Sequence, residues 1–491
     1  MMTSMLPPQF FSLAKRMMGY LAAGLVGCLL VAVIALVMVL NGRPDLSVWH
    51  LADLDEEFTE DLEVASFEQY LALEDRLFAQ LDELVYAQVP VGPGNAINRY
   101  SRGSLSDPEI WPVNWNRSFV LPQEEPTAGV LLLHGLSDSP YSLRALGERL
   151  HGQGAMVLGL RIPGHGTAPS GLIETSWQDM AAAVRLATRH LRETIGDKPL
   201  YLVGYSNGGA LAVEYALASL RDASLPRVSG VILLSPGIGI SGAAALAVWQ
   251  GRLGHLLGLE KLAWNSILPE YDPFKYNSFT VNAGDLAHRI TVHIQGQLDR
   301  LKGSDEFTGM PPILAFQSGV DATVTGSALV KNLLDRLPPA KHELVMFDIN
   351  RRVEIGALLK QDPREVFEPL LKDKDRNLDV TVVTNEDGSA SRAVARTTLR
   401  GEIVPSRSTY VGEWPSEVYS LSHIALPFSP EDPVYGGPEA GSSPGIQLGN
   451  VALRGERGVL MVSGTDVMRL HWNPFYDYVE ERVLRFTRLE D

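Results

Sequence analysis

Residues 201–212 read Tyr201-Leu202-Val203-Gly204-Tyr205-Ser206-Asn207-Gly208-Gly209-Ala210-Leu211-Ala212. An apolar run enters a G-x-S-x-G pattern and leaves it as the small-residue start of a helix. A strand–turn–helix corner of this kind pushes its serine into a strained, exposed position. The flanking glycines are needed because side chains there would strike the neighbouring strand and helix. With 45 glycines in the chain, the pattern recurs easily by chance. Its setting gives it weight, and Ser206 becomes the residue around which a site can be sought.

Outward from this corner, strands and helices alternate from about residue 128. Apolar runs at Gly129–Leu133, Ala155–Leu160, Pro199–Val203, Val228–Leu234, Pro312–Gln317 and His342–Phe347 read as strands. Helical periodicity falls near Tyr141–His151 and over Trp177–Ile195. The alternation predicts an α/β fold, a mostly parallel sheet sandwiched by helices, over residues 128–491. Two segments interrupt it. Residues 236–310 carry Trp249, Leu253, Leu256, Leu257, Trp264, Tyr271, Phe274, Tyr276 and Phe279, and sit where a lid insertion would. Residues 350–415 hold Leu378–Thr384 and Arg392–Leu399 on either side of Asn385-Glu386-Asp387-Gly388, the pattern of a β-hairpin insertion.

Acyl transfer by a serine needs a hydroxyl, an imidazole to take its proton, a carboxylate to orient the imidazole, and N–H groups to hold the oxyanion. Ser206 is the candidate nucleophile. The strand Leu131-Leu132-Leu133 ends in His134-Gly135-Leu136, so the Leu136 N–H is one candidate oxyanion donor and the Asn207 N–H the other. His134 itself reads as a structural residue of that loop. The strand from Ile313 ends in a turn and Asp321, the favoured acid; Asp348, at the end of the next strand, is the rival. The base should follow the acid, which leaves His342, His423 and His471 among the 11 histidines. His342 opens a strand, the wrong end of a parallel sheet. His471 sits in a packing context near the terminus. His423, in the loop Ser420-Leu421-Ser422-His423-Ile424, is the predicted base.

These residues resemble the α/β-hydrolase superfamily, especially its carboxylesterase and monoacylglycerol-lipase-like branch. The matching pieces are Leu133-His134-Gly135-Leu136, Pro163-Gly164-His165-Gly166, Gly204-Tyr205-Ser206-Asn207-Gly208-Gly209 and the Asp321 loop. The resemblance covers about 128–348, plus His423. It implies the α/β-hydrolase fold and a shaping role, not a catalytic one, for the loop around His165. The interval from Asp321 to His423 is far longer than the family shows, and the family's compact Gly-His after the last strand is missing. Relatives that dehalogenate or open epoxides place Asp at the elbow, and Ser206 argues against both.

The 491 residues are 45% hydrophobic and 20% charged, with a net charge of −16. That charge repels phosphate and argues against nucleic acid as a partner. No zinc-type Cys/His spacing and no phosphate loop appears, so neither a metal nor a cofactor is expected. Cys28 is the single cysteine, so no internal disulfide can form. Met17 to Leu40 carries no charge and is long enough for a membrane-spanning helix. Lys15 and Arg16 before it, and the acids after Arg43, predict a single-pass protein with its amino terminus inside and residues 45–491 outside the cytoplasm, in the periplasm if bacterial. The run is too long for a cleaved signal peptide. Leu25-Val26-Gly27-Cys28 resembles a lipoprotein box but stays apolar afterwards.

Residues 1–44 are therefore expected to be the amino terminus and anchor. Residues 45–127 are expected to hold an acidic linker, an amphipathic helix over Ser66–Gln88 and an irregular lead-in. Asn116-Arg117-Ser118 is formally a glycosylation sequon. The expectation is a membrane-anchored serine hydrolase that cleaves a small-molecule or lipid-like carboxylic ester. A serine peptidase or thioesterase on the same triad, or a non-catalytic binding module on the same fold, are the alternatives.

Overall fold

The computed structural model describes residues 8–239, 260–351, 358–360, 362–388, 390–451 and 461–489. In chain order the strands are β1 Phe119–Leu121, β2 Ala128–Leu133, β3 Ala155–Leu160, β4 Leu200–Tyr205, β5 Gly230–Leu234, β6 Trp264–Ser266, β7 Phe279–Thr280, β8 Ile313–Ser318, β9 His342–Phe347, β10 Leu378–Asn385, β11 Arg392–Thr398 and β12 Arg407–Glu413. The helices that bear on the site and its supports are α1 Pro8–Asn41, α2 Val48–Leu51, α3 Phe67–Leu84, α4 Tyr141–His151, α5 Trp177–Ile195 and α6 Asn207–Arg221.

Strands β2, β3, β4, β5 and β8 bury every residue. Continuous burial of this kind belongs to strands covered on both faces. Among the described residues the main sheet runs β1-β3-β2-β4-β5-β8-β9-β10-β11-β12. From β3 to β10 all pairs are parallel; β1, β11 and β12 pair antiparallel at the two edges. Side chains alternate between two layers. Leu131, Leu133, Leu202 and Leu233 meet α5, α6 and the helix Val281–Leu301. Val130, Leu132, Val203 and Ile232 meet α4 and the carboxyl-terminal helix Tyr476–Thr487.

Register fixes where chemistry can occur. Leu133 pairs with Gly204, Tyr205 with Leu234, Leu234 with Phe316, and Ser318 with Phe347. The carboxyl ends of β2, β4, β5, β8 and β9 thus form one edge, the place where open parallel sheets hold their sites. After β9 the chain adds β10, β11 and β12 to the far side of the sheet and then returns. Asn350 N–H donates to the Tyr419 carbonyl at 2.8 Å, and Ser318 Oγ donates to the Leu421 carbonyl at 2.8 Å. These bonds strap the loop before His423 across the tips of β8 and β9.

Of the lid expectation, Trp249, Leu253, Leu256 and Leu257 lie outside the described residues. In the described remainder Trp264, Phe274 and Tyr276 are buried. Phe274 stacks on Tyr141 at 4.1 Å, and Trp264 meets the His50 ring edge-on at 4.8 Å. Those aromatic side chains are spent on packing. Asn116 is also buried, with Nδ2 donating to the Pro273 carbonyl at 3.0 Å, so the sequon faces the interior.

The membrane expectation does not survive the structure. The apolar stretch lies in α1, but among the described residues no helix is long and apolar enough to cross a membrane. The placement of residues 45–491 outside the cytoplasm, and the membrane as a partner through this helix, are overturned by that finding.

The acidic stretch after α1 is packed rather than simply solvated. Leu54 and Phe58 are buried, and α3 sets Phe67, Tyr70 and Leu73 into the same layer as α5. Ser66 caps α3 by accepting from Gln69 N–H. Arg161, at the end of β3 and 1% exposed, joins this arm to the sheet. It meets Glu57 at 2.9 Å and Glu74 at 3.0 Å. Arg161→Met leaves two uncompensated carboxylates in the interior. We expect it to lower unfolding free energy by about 3–5 kcal/mol, read from the urea midpoint; an unchanged midpoint would contradict this role.

Candidate active site

Ser206 stands between β4 and α6 with φ 51° and ψ −115°. A non-glycine residue in that region is strained by about 1–3 kcal/mol and persists only when its surroundings force it. Here they do. A side chain on Gly204 would overlap the Gly208 carbonyl, and one on Gly208 would overlap the Leu133 carbonyl. The Ser206 carbonyl accepts from Gly209 at 3.0 Å and Gly237 at 2.7 Å, and its N–H donates to Leu234 at 3.0 Å. The hydroxyl is left at the amino terminus of α6, where the helix dipole favours negative charge.

The structure brings the three triad candidates together. His423 Nε2 lies 3.0 Å from Ser206 Oγ, and Nδ1 lies 2.7 Å from Asp321 Oδ2. Asp321 Oδ1 accepts from the N–H groups of Thr323 at 2.8 Å and Val324 at 2.9 Å. Burial pushes the Asp321 carboxyl up. The bond and charge of His423, with those two backbone donors, outweigh it, so the carboxyl lies below its ordinary value. Gln317, fully buried in β8, donates to Asp321 Oδ2 at 3.0 Å and to the Val324 carbonyl at 2.9 Å. Its part was not predicted from the sequence; the available signal was one amide at the end of the otherwise apolar run Ile313–Phe316.

The rivals are occupied elsewhere. Asp348 is held by Arg351 at 2.6 Å and accepts from Thr384 Oγ1 at 2.9 Å. His342 bonds the Ile313 N–H and the Pro338 carbonyl, at the opposite end of the strands. His471 stacks on Tyr435, and burial pushes it down to about 4.

Of the two oxyanion candidates, Asn207 directly follows Ser206 and Leu136 follows Gly135 in the loop packed against the elbow. Asn207 opens α6, and Gly135 lies so close that a Cβ there would sit 3.3 Å from Ser206 Cβ. Neither the Leu136 nor the Asn207 N–H finds an acceptor among the described residues. His134 accepts from the Ile162 N–H at Nε2, 3.1 Å away, so Nδ1 carries the proton and donates to the Gly135 carbonyl at 2.8 Å. Burial, then the His165 and Arg161 charges, push its pKa well below the ordinary imidazole value. Among the described residues no cluster of metal-ligating side chains occurs.

Residues 124–348 match the family described as serine aminopeptidase, S33, of the hydrolase type. Over that region the chain is similar to α/β-hydrolases of the esterase and lipase kind. It is 26% identical over 202 residues to a thermostable monoacylglycerol lipase of a Bacillus species, covering 41% of this chain and 73% of that one. It is 30% identical over 119 residues to the phospholipase YtpA of Bacillus subtilis, covering 24% and 43%. A solved structure of a Paleococcus ferrophilus monoacylglycerol lipase is 23% identical, with a TM-score of 0.35, over 47% of this chain and 86% of that one. The matched region ends before His423 and begins after the amino-terminal arm.

The hydrolase also carries a buried carboxyl, Asp138, two residues beyond Leu136. Burial pushes it up to about 7, against the opposing charge of Lys275. The folded chain keeps this proton between about pH 4 and 7 while the unfolded chain loses it. Its contribution to stability is therefore complete below about pH 4 and is lost as pH rises to about 7. We expect Asp138→Asn to gain Tm relative to wild type between pH 5 and pH 8, in thermal melts at both values; a constant difference would contradict the assignment.

Proposed function

We propose that this hydrolase cleaves carboxylic esters, with Ser206 as nucleophile, His423 as general base and then general acid, and Asp321 as the group that fixes the imidazole. The observation that carries the reading is the continuous path Ser206 Oγ to His423 Nε2 at 3.0 Å and His423 Nδ1 to Asp321 Oδ2 at 2.7 Å. Both distances lie within the hydrogen-bond reach a proton relay requires.

Ser206 Oγ attacks the ester carbonyl carbon as its proton passes to His423 Nε2. The carbonyl oxygen gains the charge and is met by the N–H groups of Leu136 and Asn207. Collapse expels the alkoxide, which takes the proton from His423, and leaves an acyl-serine. Water then repeats the sequence, releasing the carboxylic acid and restoring Ser206. Each oxyanion donor supplies about 3–4 kcal/mol in comparable sites. A lipid-like acyl ester is the substrate class that the monoacylglycerol lipase and phospholipase relatives support.

A second reading, cleavage of an aminoacyl amide, is favoured by the serine aminopeptidase description of the matching family. Turnover of short and long acyl p-nitrophenyl esters beside aminoacyl p-nitroanilides separates the two, and preference for the anilide would replace the ester reading. A fluorophosphonate probe should label wild type and fail to label Ser206→Ala. We expect His423→Ala to lower kcat by at least about 10⁴-fold. Labelling of Ser206→Ala, or near-normal turnover by His423→Ala, would sink the proposed roles.

A further inference from the structure

Glu57 lies in the amino-terminal arm, 67 residues before the matched hydrolase region begins at residue 124. Its carboxylate is nonetheless bonded into the catalytic end of the sheet. Oε1 accepts from Arg161 Nη2 at 2.9 Å. Oε2 accepts from Arg161 Nη1 at 3.0 Å and from the Gly164 N–H at 2.9 Å. Arg161 Nη1 also donates to the His165 carbonyl at 3.1 Å. One carboxylate and one guanidinium therefore fix the backbone of residues 161–165 from both sides.

That backbone in turn fixes His134. The Ile162 N–H donates to His134 Nε2, and the His165 ring meets the His134 ring edge-on at 4.9 Å. A backbone N–H can only donate, so Nε2 is the acceptor and the proton sits on Nδ1. It points at the Gly135 carbonyl, 2.8 Å away. In a trans peptide the C=O of one residue and the N–H of the next lie in one plane and point in opposite directions. Holding the Gly135 carbonyl therefore aims the Leu136 N–H, which belongs to the same peptide, in a loop where Gly135 packs against Ser206.

We propose that Glu57 is a positioning residue for the oxyanion site: the amino-terminal arm sets the direction of the Leu136 N–H through Arg161, the 161–165 backbone and His134. The inference rests on the catalytic roles proposed for the triad, since an aimed N–H matters only if an oxyanion forms at Ser206. It makes the arm a working part of the enzyme.

The test uses the full chain as wild type, Glu57→Gln, Arg161→Lys and the surface control Glu60→Gln. Glu57→Gln keeps the shape and loses the charge-assisted pair. Arg161→Lys keeps the charge and loses the fork, which guards against failure of the first variant to fold. The readouts are kcat and KM for a short-chain p-nitrophenyl ester, Ki for a trifluoromethyl ketone that adds to the serine as a tetrahedral oxyanion, and Tm. We expect Glu57→Gln and Arg161→Lys to lower kcat roughly 10- to 100-fold, less than the outright loss of a donor. KM should stay within about twofold, and Ki should rise by the same factor as kcat falls. Glu60→Gln should match wild type. Folded Glu57→Gln and Arg161→Lys with wild-type kcat and Ki would overturn the proposal and leave the catalytic roles standing. Wild type without turnover that depends on Ser206 would overturn both.

Discussion

The left-handed backbone of Ser206 is the feature that every other part of the site serves. At φ 51° and ψ −115° the residue would relax if its neighbours allowed it. They do not, because β4 and α6 approach too closely for any side chain at Gly204 or Gly208. The strain is therefore held by the packing of a sheet whose central strands are wholly buried. Its result is a hydroxyl at a helix terminus, with the His423 imidazole 3.0 Å away.

The imidazole reaches that position by a long route. Three further strands separate β9 from the loop that carries His423. The loop is returned to the tips of β8 and β9 by Asn350 and Ser318, whose side chains donate to the Val418 and Leu421 carbonyls before it. Polar side chains at strand ends thus do what a short connection would otherwise do. The amino-terminal arm shows the same economy: carboxylates of Glu57 and Glu74 converge on one buried guanidinium, which is tolerable in the interior because each charge has a partner and one further N–H donates to the His165 carbonyl.

Much of this was legible in the chain itself. The buried strands announce themselves as unbroken apolar runs, and the elbow as glycines around a serine between a strand and a helix. Asp321 follows a strand toward the carboxyl edge, and His423 remains as the candidate base because His342 begins a strand and His471 sits in a packing context. What was not legible depended on partners far apart in sequence. Glu57 sits in a run of acids and reads as a solvated charge, since nothing local says that Arg161 waits for it. Gln317 reads as a strand residue until the Asp321 carboxylate is seen beside it. The apolar stretch from Met17 to Leu40 reads as a membrane span, yet no helix among the described residues is long and apolar enough to cross a membrane. The aromatic residues Trp264, Phe274 and Tyr276 were read with a lid, yet they fill the interior.

One strained serine hydroxyl, set between an imidazole and two backbone N–H groups, is proposed to carry the chemistry. A crystal structure of the chain after reaction with a phosphonate ester would show those groups at work. The expected result is phosphorus bonded to Ser206 Oγ, with one phosphonyl oxygen within about 3 Å of both the Leu136 and Asn207 nitrogens. A covalent bond at another residue, or a phosphonyl oxygen turned away from both nitrogens, would contradict that arrangement.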